Sequence, residues 1–306
     1  MMPRFALALV GSILGLAVPV TAAAQCPGPL AVQILGSGGP IAEGHRAGSS
    51  AIVWIDGKAA ALIDAGSGAF VRYGEAGVRF EDHRVIALTH FHADHVADLG
   101  AILNSGSFSD RTEDLPVLGP KGSEHFPGVT EHLQALFHSQ SGAFRYLSGF
   151  LDGTTGKPRI VPVDIASEGQ AQPFTDAETG LMVTPIPVQH GVVPALAYRV
   201  DIRGKMIVFA GDQNEFSDAF VASLAGRKPD LLIVHNVIPE GEGQPRGLHR
   251  PPSSLGKMAA AINPQLLVLS HNMQRALTRQ AEGEAAIRTS YSGPMTIADD
   301  LSCYAL

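Results

Sequence analysis

The heptapeptide Thr89-His90-Phe91-His92-Ala93-Asp94-His95 constrains this chain more than any other stretch. It follows an apolar run, Val85 to Leu88, that reads as a strand, and it opens a helix-like segment running from Asp94 to about Asn104 with Val96, Leu99, Ile102 and Leu103 on one side. At a strand end, residues two apart point the same way, so His90 and His92 can offer two imidazoles to one metal ion. Asp94 and His95 fall in the first helical turn, offset enough to serve a second ion nearby. Imidazole and carboxylate donors without a thiolate suit zinc and tolerate manganese or iron. The bland alternative, a chance histidine cluster on a surface loop, does not explain three histidines and an aspartate within six positions of a strand–helix junction.

Residues 1–24 have the layout of a secretory signal peptide: Arg4 as a short positive region, an apolar run from Phe5 to Val18, and Ala22-Ala23-Ala24 as a cleavage site before Gln25. A membrane anchor is the competing reading, but the run is short, carries two glycines and ends at Pro19. Cleavage would leave residues 25–306 as a single periplasmic or secreted domain with no membrane anchor. The formal net charge of −7, one unit more negative once Arg4 is gone, argues against a general nucleic-acid binder. The 45% hydrophobic content excludes disorder, and two cysteines exclude a disulfide scaffold. Those two, Cys26 and Cys303, would stand near the ends of the mature chain; an even count in an oxidising compartment favours a bridge tying both termini.

Short apolar runs punctuated by glycine fill the first third of the chain, with Asp56-Gly57 reading as a hairpin turn between two of them. Further strands then mix with helices at 128–137, 217–225, 253–261 and 275–289. Strand runs followed by alternating strands and helices in one chain suggest two sheets covered by helices.

The HxHxDH segment after an apolar strand resembles the metal-binding motif of the metallo-β-lactamase superfamily. Gly36-Ser37-Gly38-Gly39-Pro40, Arg46 with Ser49-Ser50, Leu62-Ile63-Asp64-Ala65-Gly66 and Leu118-Gly119-Pro120-Lys121-Gly122 resemble segments of its ribonuclease Z, phosphodiesterase and arylsulfatase branch. The resemblance implies an α/β fold, an αββα sandwich. It implies His90, His92 and His190 as ligands of one metal, Asp94, His95 and His271 as ligands of a second, and Asp212 shared between them. Two Zn2+ ions are implied, with Mn2+ or Fe as alternatives. Asp64 is expected to orient a histidine ligand, against the plainer reading of a turn residue ahead of Gly66. His249, which lies ahead of a helix, is expected to act on the leaving group without binding metal, titrating near neutrality. Asp94, His249 and Asp64 are thus the candidate catalytic residues. The family follows the residue like His249 with Ser or Thr; here Arg250, Pro251 and Pro252 intervene, and they either rigidify the loop or turn His249 to solvent.

Ribonuclease Z enzymes usually insert a long RNA-grasping arm between the third histidine and the shared aspartate. The stretch 191–211 leaves room for two strands only. The implied partner is therefore a small-molecule ester rather than nucleic acid, and a homodimer is compatible with the sequence. The expected activity is zinc-dependent hydrolysis of a phosphodiester or sulfate ester. Alternatives are β-lactam or lactone hydrolysis, ribonuclease Z-type cleavage, or a non-hydrolytic metal-binding relative. A dead binder would be expected to lack ligands, and none is missing. A flavodiiron-type oxidoreductase would need a further acidic residue in the motif and a flavin domain. The aromatic-rich segment 126–150, with Phe126, Phe137, Phe144, Tyr146 and Phe150, reads equally as a lid over the metals or as packing of a covering helix.

Overall fold

The computed structural model describes residues 26–154, 158–169 and 171–306; the signal-peptide assignment for 1–24 lies outside them. Two seven-stranded mixed sheets face one another. The first has the order β14-β1-β2-β3-β4-β5-β6, built from β1 (Leu30–Gly36), β2 (Ser50–Ile55), β3 (Lys58–Ile63), β4 (Val85–Ala87), β5 (Leu115–Pro120), β6 (Ile160–Ile165) and the C-terminal β14 (Cys303–Ala305). The second runs β13-β12-β11-β10-β9-β8-β7, from β7 (Phe174–Asp176), β8 (Leu181–His190), β9 (Val193–Ile202), β10 (Lys205–Phe209), β11 (Leu231–His235), β12 (Leu266–Ser270) and β13 (Met295–Ile297).

Both sheets are apolar on both faces, and the period-2 geometry of a strand sorts each residue to a layer. In β2, Ile52 and Trp54 point to the outer helical layer while Ala51, Val53 and Ile55 enter the core between the sheets. In β11, Leu231 and Ile233 join that central core and Leu232 and Val234 the opposite helical layer. Helices cover both outer faces: α1 (Ala69–Glu75), α2 (Ala93–Val96), α3 (Leu99–Gly106), α4 (Val129–Phe137) and α5 (Gly149–Asp152) on the first sheet's side, α6 (Asp218–Leu224), α7 (Pro252–Ile262), α8 (Gln274–Leu277) and α9 (Gln280–Arg288) on the second's. The expected αββα layering is present. Asp56 and Gly57 both take positive φ, 50° and 74°, as a two-residue hairpin between β2 and β3 requires.

Two expectations need adjustment, and one open alternative is decided. The helix read from Asp94 to Asn104 is two helices, because the Asp98 N–H leaves the helical ladder to donate to the Ala65 carbonyl, 2.9 Å away. The helix read over 275–289 likewise breaks between Leu277 and Gln280. The segment 126–150 is not a lid at the residues that matter most: Phe137 and Phe150 are buried in the outer core with Leu133, Leu99 and Val117, while Phe126, Phe144 and Tyr146 reach solvent. Its α4 is a covering helix packed on β5 and β6. A disulfide joins Cys26 and Cys303, as the cysteine count favoured, with Cα atoms 5.6 Å apart. It fastens β14 to the entry of β1, whose Gln33 is in register with Cys303.

Two outcomes are expected from this architecture. Phe137→Ala should cost about 3–5 kcal/mol, a fall in Tm on the order of 10 °C by calorimetry, with relative rates among substrates unchanged. Thiol titration of the denatured, unreduced protein should find no free cysteine, and reduction should destabilise it by about 5–6 kcal/mol because the bridge closes a loop of 277 residues.

Candidate metal centre

Every donor in the cluster closes a strand or lies in the loop or first helical turn that follows one. Strands β3 and β4 are parallel, β10, β11 and β12 are parallel, and β8 runs with β10 through the antiparallel β9 between them. Their C-terminal ends therefore open on one edge of the sandwich, where loops can converge on a ligand. Asp64 follows β3, the heptapeptide follows β4, His190 closes β8, Asp212 follows β10, His235 closes β11 and His271 follows β12. The sheets are tied at this edge by Leu196 N–H donating to the Thr89 carbonyl (2.9 Å) and Tyr198 O–H to the Leu88 carbonyl (2.8 Å).

The candidate ligands form two groups sharing Asp212. In the first, His90 Nε2 is 3.0 Å from His92 Nδ1, which is 3.4 Å from His190 Nε2; Asp212 Oδ2 lies 3.4 Å from His190 Nε2 and 3.8 Å from His90 Nε2. In the second, Asp94 Oδ2 is 3.0 Å from His271 Nε2 and 3.6 Å from His95 Nε2, and Asp212 reaches the same two rings at 3.7 and 3.8 Å. Bonds of about 2.0–2.2 Å place the donors round a tetrahedral ion about 3.3–3.5 Å apart, and these spacings bracket that value. His95 Nε2 is buried with no hydrogen-bond partner although it faces both carboxylates. An orphaned buried nitrogen of that kind is a donor awaiting a cation. The residues fit a pair of divalent ions.

The supporting shell is equally well placed. The carboxylate of Asp64 accepts the Thr89 N–H (2.7 Å), the Thr89 hydroxyl (2.8 Å) and the His95 Nδ1–H (2.8 Å). The His190 Nδ1–H donates to the Leu248 carbonyl at 2.9 Å. Asp64 and His271 both hold left-handed backbone conformations, φ 57° and 52°, a strain that residues other than glycine accept where the surroundings demand it. Gly39 lies so close to His271 that a Cβ there would sit 2.4 Å from the imidazole, so the Gly-rich turn is shaped to that ring. Phe91, between the first two histidines, stacks on His132 of α4, which props the loop from outside.

Electrostatics match a cation site. Burial first, and neighbouring imidazoles second, push His90 and His92 below the usual histidine range, leaving neutral rings with free lone pairs. Burial opposes ionisation of Asp94, but the His271 hydrogen bond and the His95 charge outweigh it and hold the carboxyl at about 2. Asp212 is held far below the carboxylate range by His271 and His235, again against burial. Burial works against charge on His95, yet Asp64 lifts it to about 9, so in the metal-free protein metal uptake must displace a proton there.

His249 is not turned to solvent. Its loop is bolted down by Asn214 Nδ2 donating to the Gly247 carbonyl (2.6 Å) and by the buried Arg250, whose guanidinium donates to Gln213 (3.2 Å) and Ser254 (3.0 Å). The His249 ring lies 5.3 Å from that of His190, its Nδ1 3.9 Å from Asp212 Oδ1. Its expected near-neutral titration is corrected: burial carries it down to about 4. The sequence reading missed His235. Its Nδ1 is 2.6 Å from Asp212 Oδ1, and its donor atoms group with those of His95, Asp212 and His271. A lone histidine closing an apolar strand, without motif around it, looks like a structural residue, as buried His83 is here with its bonds to Tyr73 and the Ala59 carbonyl.

A family model described as a beta-lactamase superfamily domain matches residues 61–272, the span that carries all of these donors. The chain belongs to the metallo-β-lactamase superfamily. Within that family of hydrolases, it is 29% identical over 280 residues to a ribonuclease Z of Mycobacterium avium (strain 104), covering 88% of this chain and 96% of the relative. Among solved structures, the metallo-beta-lactamase fold protein YhfI from Bacillus subtilis superposes with a TM-score of 0.70 at 20% identity, covering 90% of this chain and 98% of that one. Human tRNase Z, short form, superposes with a TM-score of 0.64 at 20% identity, covering 89% and 98%. At such identities the structural likeness establishes the fold alone.

Asp64→Ala should strand the His95 and Thr89 donors and weaken metal binding by about 10–100-fold, measured by competition with a chromogenic chelator while circular dichroism reports an unchanged fold.

Proposed function

We propose that this protein is a zinc-dependent phosphodiesterase, with His90, His92 and His190 holding one ion, Asp94, His95 and His271 the other, and Asp212 both. The observation that carries the reading is the pair of donor groups meeting at one carboxylate, with His249 over it on a loop of its own. When bound, paired divalent ions supply Lewis acidity for the ester oxygen and lower the pKa of water. The remaining chemistry belongs to the side chains. Asp94, ionised, orients the attacking water by hydrogen bond. Asp64 keeps the proton of His95 on Nδ1 and its lone pair on Nε2. His249, neutral in the free protein, donates its N–H as a hydrogen bond to the developing oxyanion of the leaving group.

A small or medium-sized substrate is favoured by the segment between His190 and Asp212, which is consumed by β9 and β10 and the turns around them. The disulfide and the leader-like residues 1–24 support a periplasmic or secreted location, where such bonds persist. The ribonuclease Z relatives favour a second reading, endonucleolytic cleavage of RNA, which uses the same phosphodiester chemistry.

A substrate panel on the zinc-loaded protein tests this: an aryl phosphodiester, an aryl sulfate, a chromogenic cephalosporin, a lactone and a structured RNA, ranked by kcat/KM. The phosphodiester should lead; turnover of the cephalosporin alone would overturn the assignment, and preference for the RNA would establish the second reading. On the phosphodiester series, His249→Ala should keep both metals and lower kcat by about 10²–10⁴-fold for poor leaving groups, and far less for nitrophenyl ones.

A further inference from the structure

His235 lies outside the seven residues assigned to the metals, yet it makes the one direct hydrogen bond to the Asp212 carboxylate among the described residues, 2.6 Å from Nδ1 to Oδ1. We propose that His235 is a positioning residue that fixes the orientation of Asp212, so that the carboxylate faces both metal groups. The inference rests on the dinuclear reading above.

The argument begins with what a shared carboxylate must do. Its terminal torsion is soft, so an aspartate on a loop samples many orientations of its oxygen plane, and only a narrow range of them faces two sites at once. In this protein Oδ1 is turned to the second group, while Oδ2 stands between the two. Oδ2 faces the His90, His190 and His95 Nε2 atoms at 3.4–3.8 Å, while Oδ1 faces His271 Nε2 at 3.7 Å. His249 Nδ1, at 3.9 Å, is too far to hold Oδ1 by hydrogen bond. The bond from His235 does so.

The fold makes that bond inevitable once β11 pairs. His235 closes β11 between β10, which delivers Asp212, and β12, whose Ser270 is in register with it. Its ring packs on the His271 ring with centroids 4.6 Å apart and planes within 29°, so both the strand and the neighbouring donor restrict its rotation. The same proximity groups its donor atoms with those of His95, Asp212 and His271, which raises the competing role of direct ligand. The hydrogen bond decides between them. Two donors on one tetrahedral ion stand about 3.3–3.5 Å apart, and the candidate ligand pairs here span 3.0–3.8 Å, whereas His235 Nδ1 and Asp212 Oδ1 meet at 2.6 Å, a hydrogen-bond distance with the imidazole donating. Asp94, His95, His271 and Asp212 already supply four donors to the second group.

The test uses binding rather than turnover. Asparagine places an amide N–H near the position of the imidazole Nδ1, whereas leucine fills the space without a donor. Chelator competition should show His235→Leu loosening the second zinc equivalent by about 10–100-fold, and His235→Asn restoring it to within a few-fold of wild type. Leucine binding both equivalents as tightly as wild type would overturn the proposal, and so would asparagine as weak as leucine. Should the leucine variant fail to fold, cadmium-loaded wild type with nitrogen-labelled histidine gives an independent reading. Metal–histidine scalar couplings are expected at five rings and none at His235, whose Nδ1 keeps its proton; a coupling at His235 makes it a ligand and overturns the positioning role. A wild-type protein that takes up only one ion would instead sink the dinuclear reading itself.

Discussion

The buried carboxylate of Asp64 is the contact on which the site depends. It accepts three hydrogen bonds, two from Thr89 and one from His95, and so joins the end of β3 to the loop after β4 and to the first turn of α2. A carboxylate in the interior is tolerated only when its oxygens are satisfied, and these donors do so while setting the protons of their own side chains. With Nδ1 of His95 committed, Nε2 is free to face Asp94 and Asp212. The backbone strain at Asp64, φ 57°, is offset by those bonds, and Ala65 continues the clamp by accepting the Asp98 N–H and donating to the His95 carbonyl.

The two sheets then bring the halves of the site together. The first sheet supplies Asp64 and the heptapeptide; the second supplies His190, Asp212, His235 and His271. Neither set closes without the other, since Asp212 faces histidines from both and His271 bonds to Asp94 across the gap. The apolar core between the sheets, including Val53, Ile63, Val200 and Ile233, is what fixes their separation. Core packing is dense and resists small displacements, so it transmits to the site the precision that donors a few ångströms apart require.

One loop gives the edge its individual character. Arg250 is buried without a carboxylate partner among the described residues, an arrangement that costs desolvation energy. What it does in return is visible: it ties the His249 loop to Gln213, next to Asp212, while Asn214 holds the same loop at Gly247. The two prolines after it start α7, with Pro252 at its first turn, where a missing N–H costs nothing. Rigidity, not exposure, is their effect on His249.

By itself the sequence determined the layers and pointed to most of the candidate donors. Apolar runs of strand length, the Asp56-Gly57 turn and the HxHxDH heptapeptide are local patterns whose chemistry is legible without coordinates, and the resemblance carried His190, Asp212 and His271. Tertiary structure alone decided the rest. The edge strands β6, β7, β13 and β14 are short or half-polar and exist because a neighbour offers hydrogen bonds, as β1 does for Cys303–Ala305. The break in the helix after Asp94 comes from the Ala65 carbonyl, in the loop that follows β3. Phe137 belongs to the core rather than a lid because α4 lies on β5 and β6, a placement that composition does not encode. His235 became visible only when parallel pairing of β10, β11 and β12 set it beside Asp212: proximity across strands is a property of register, and a single residue without a local motif carries no trace of it in the sequence.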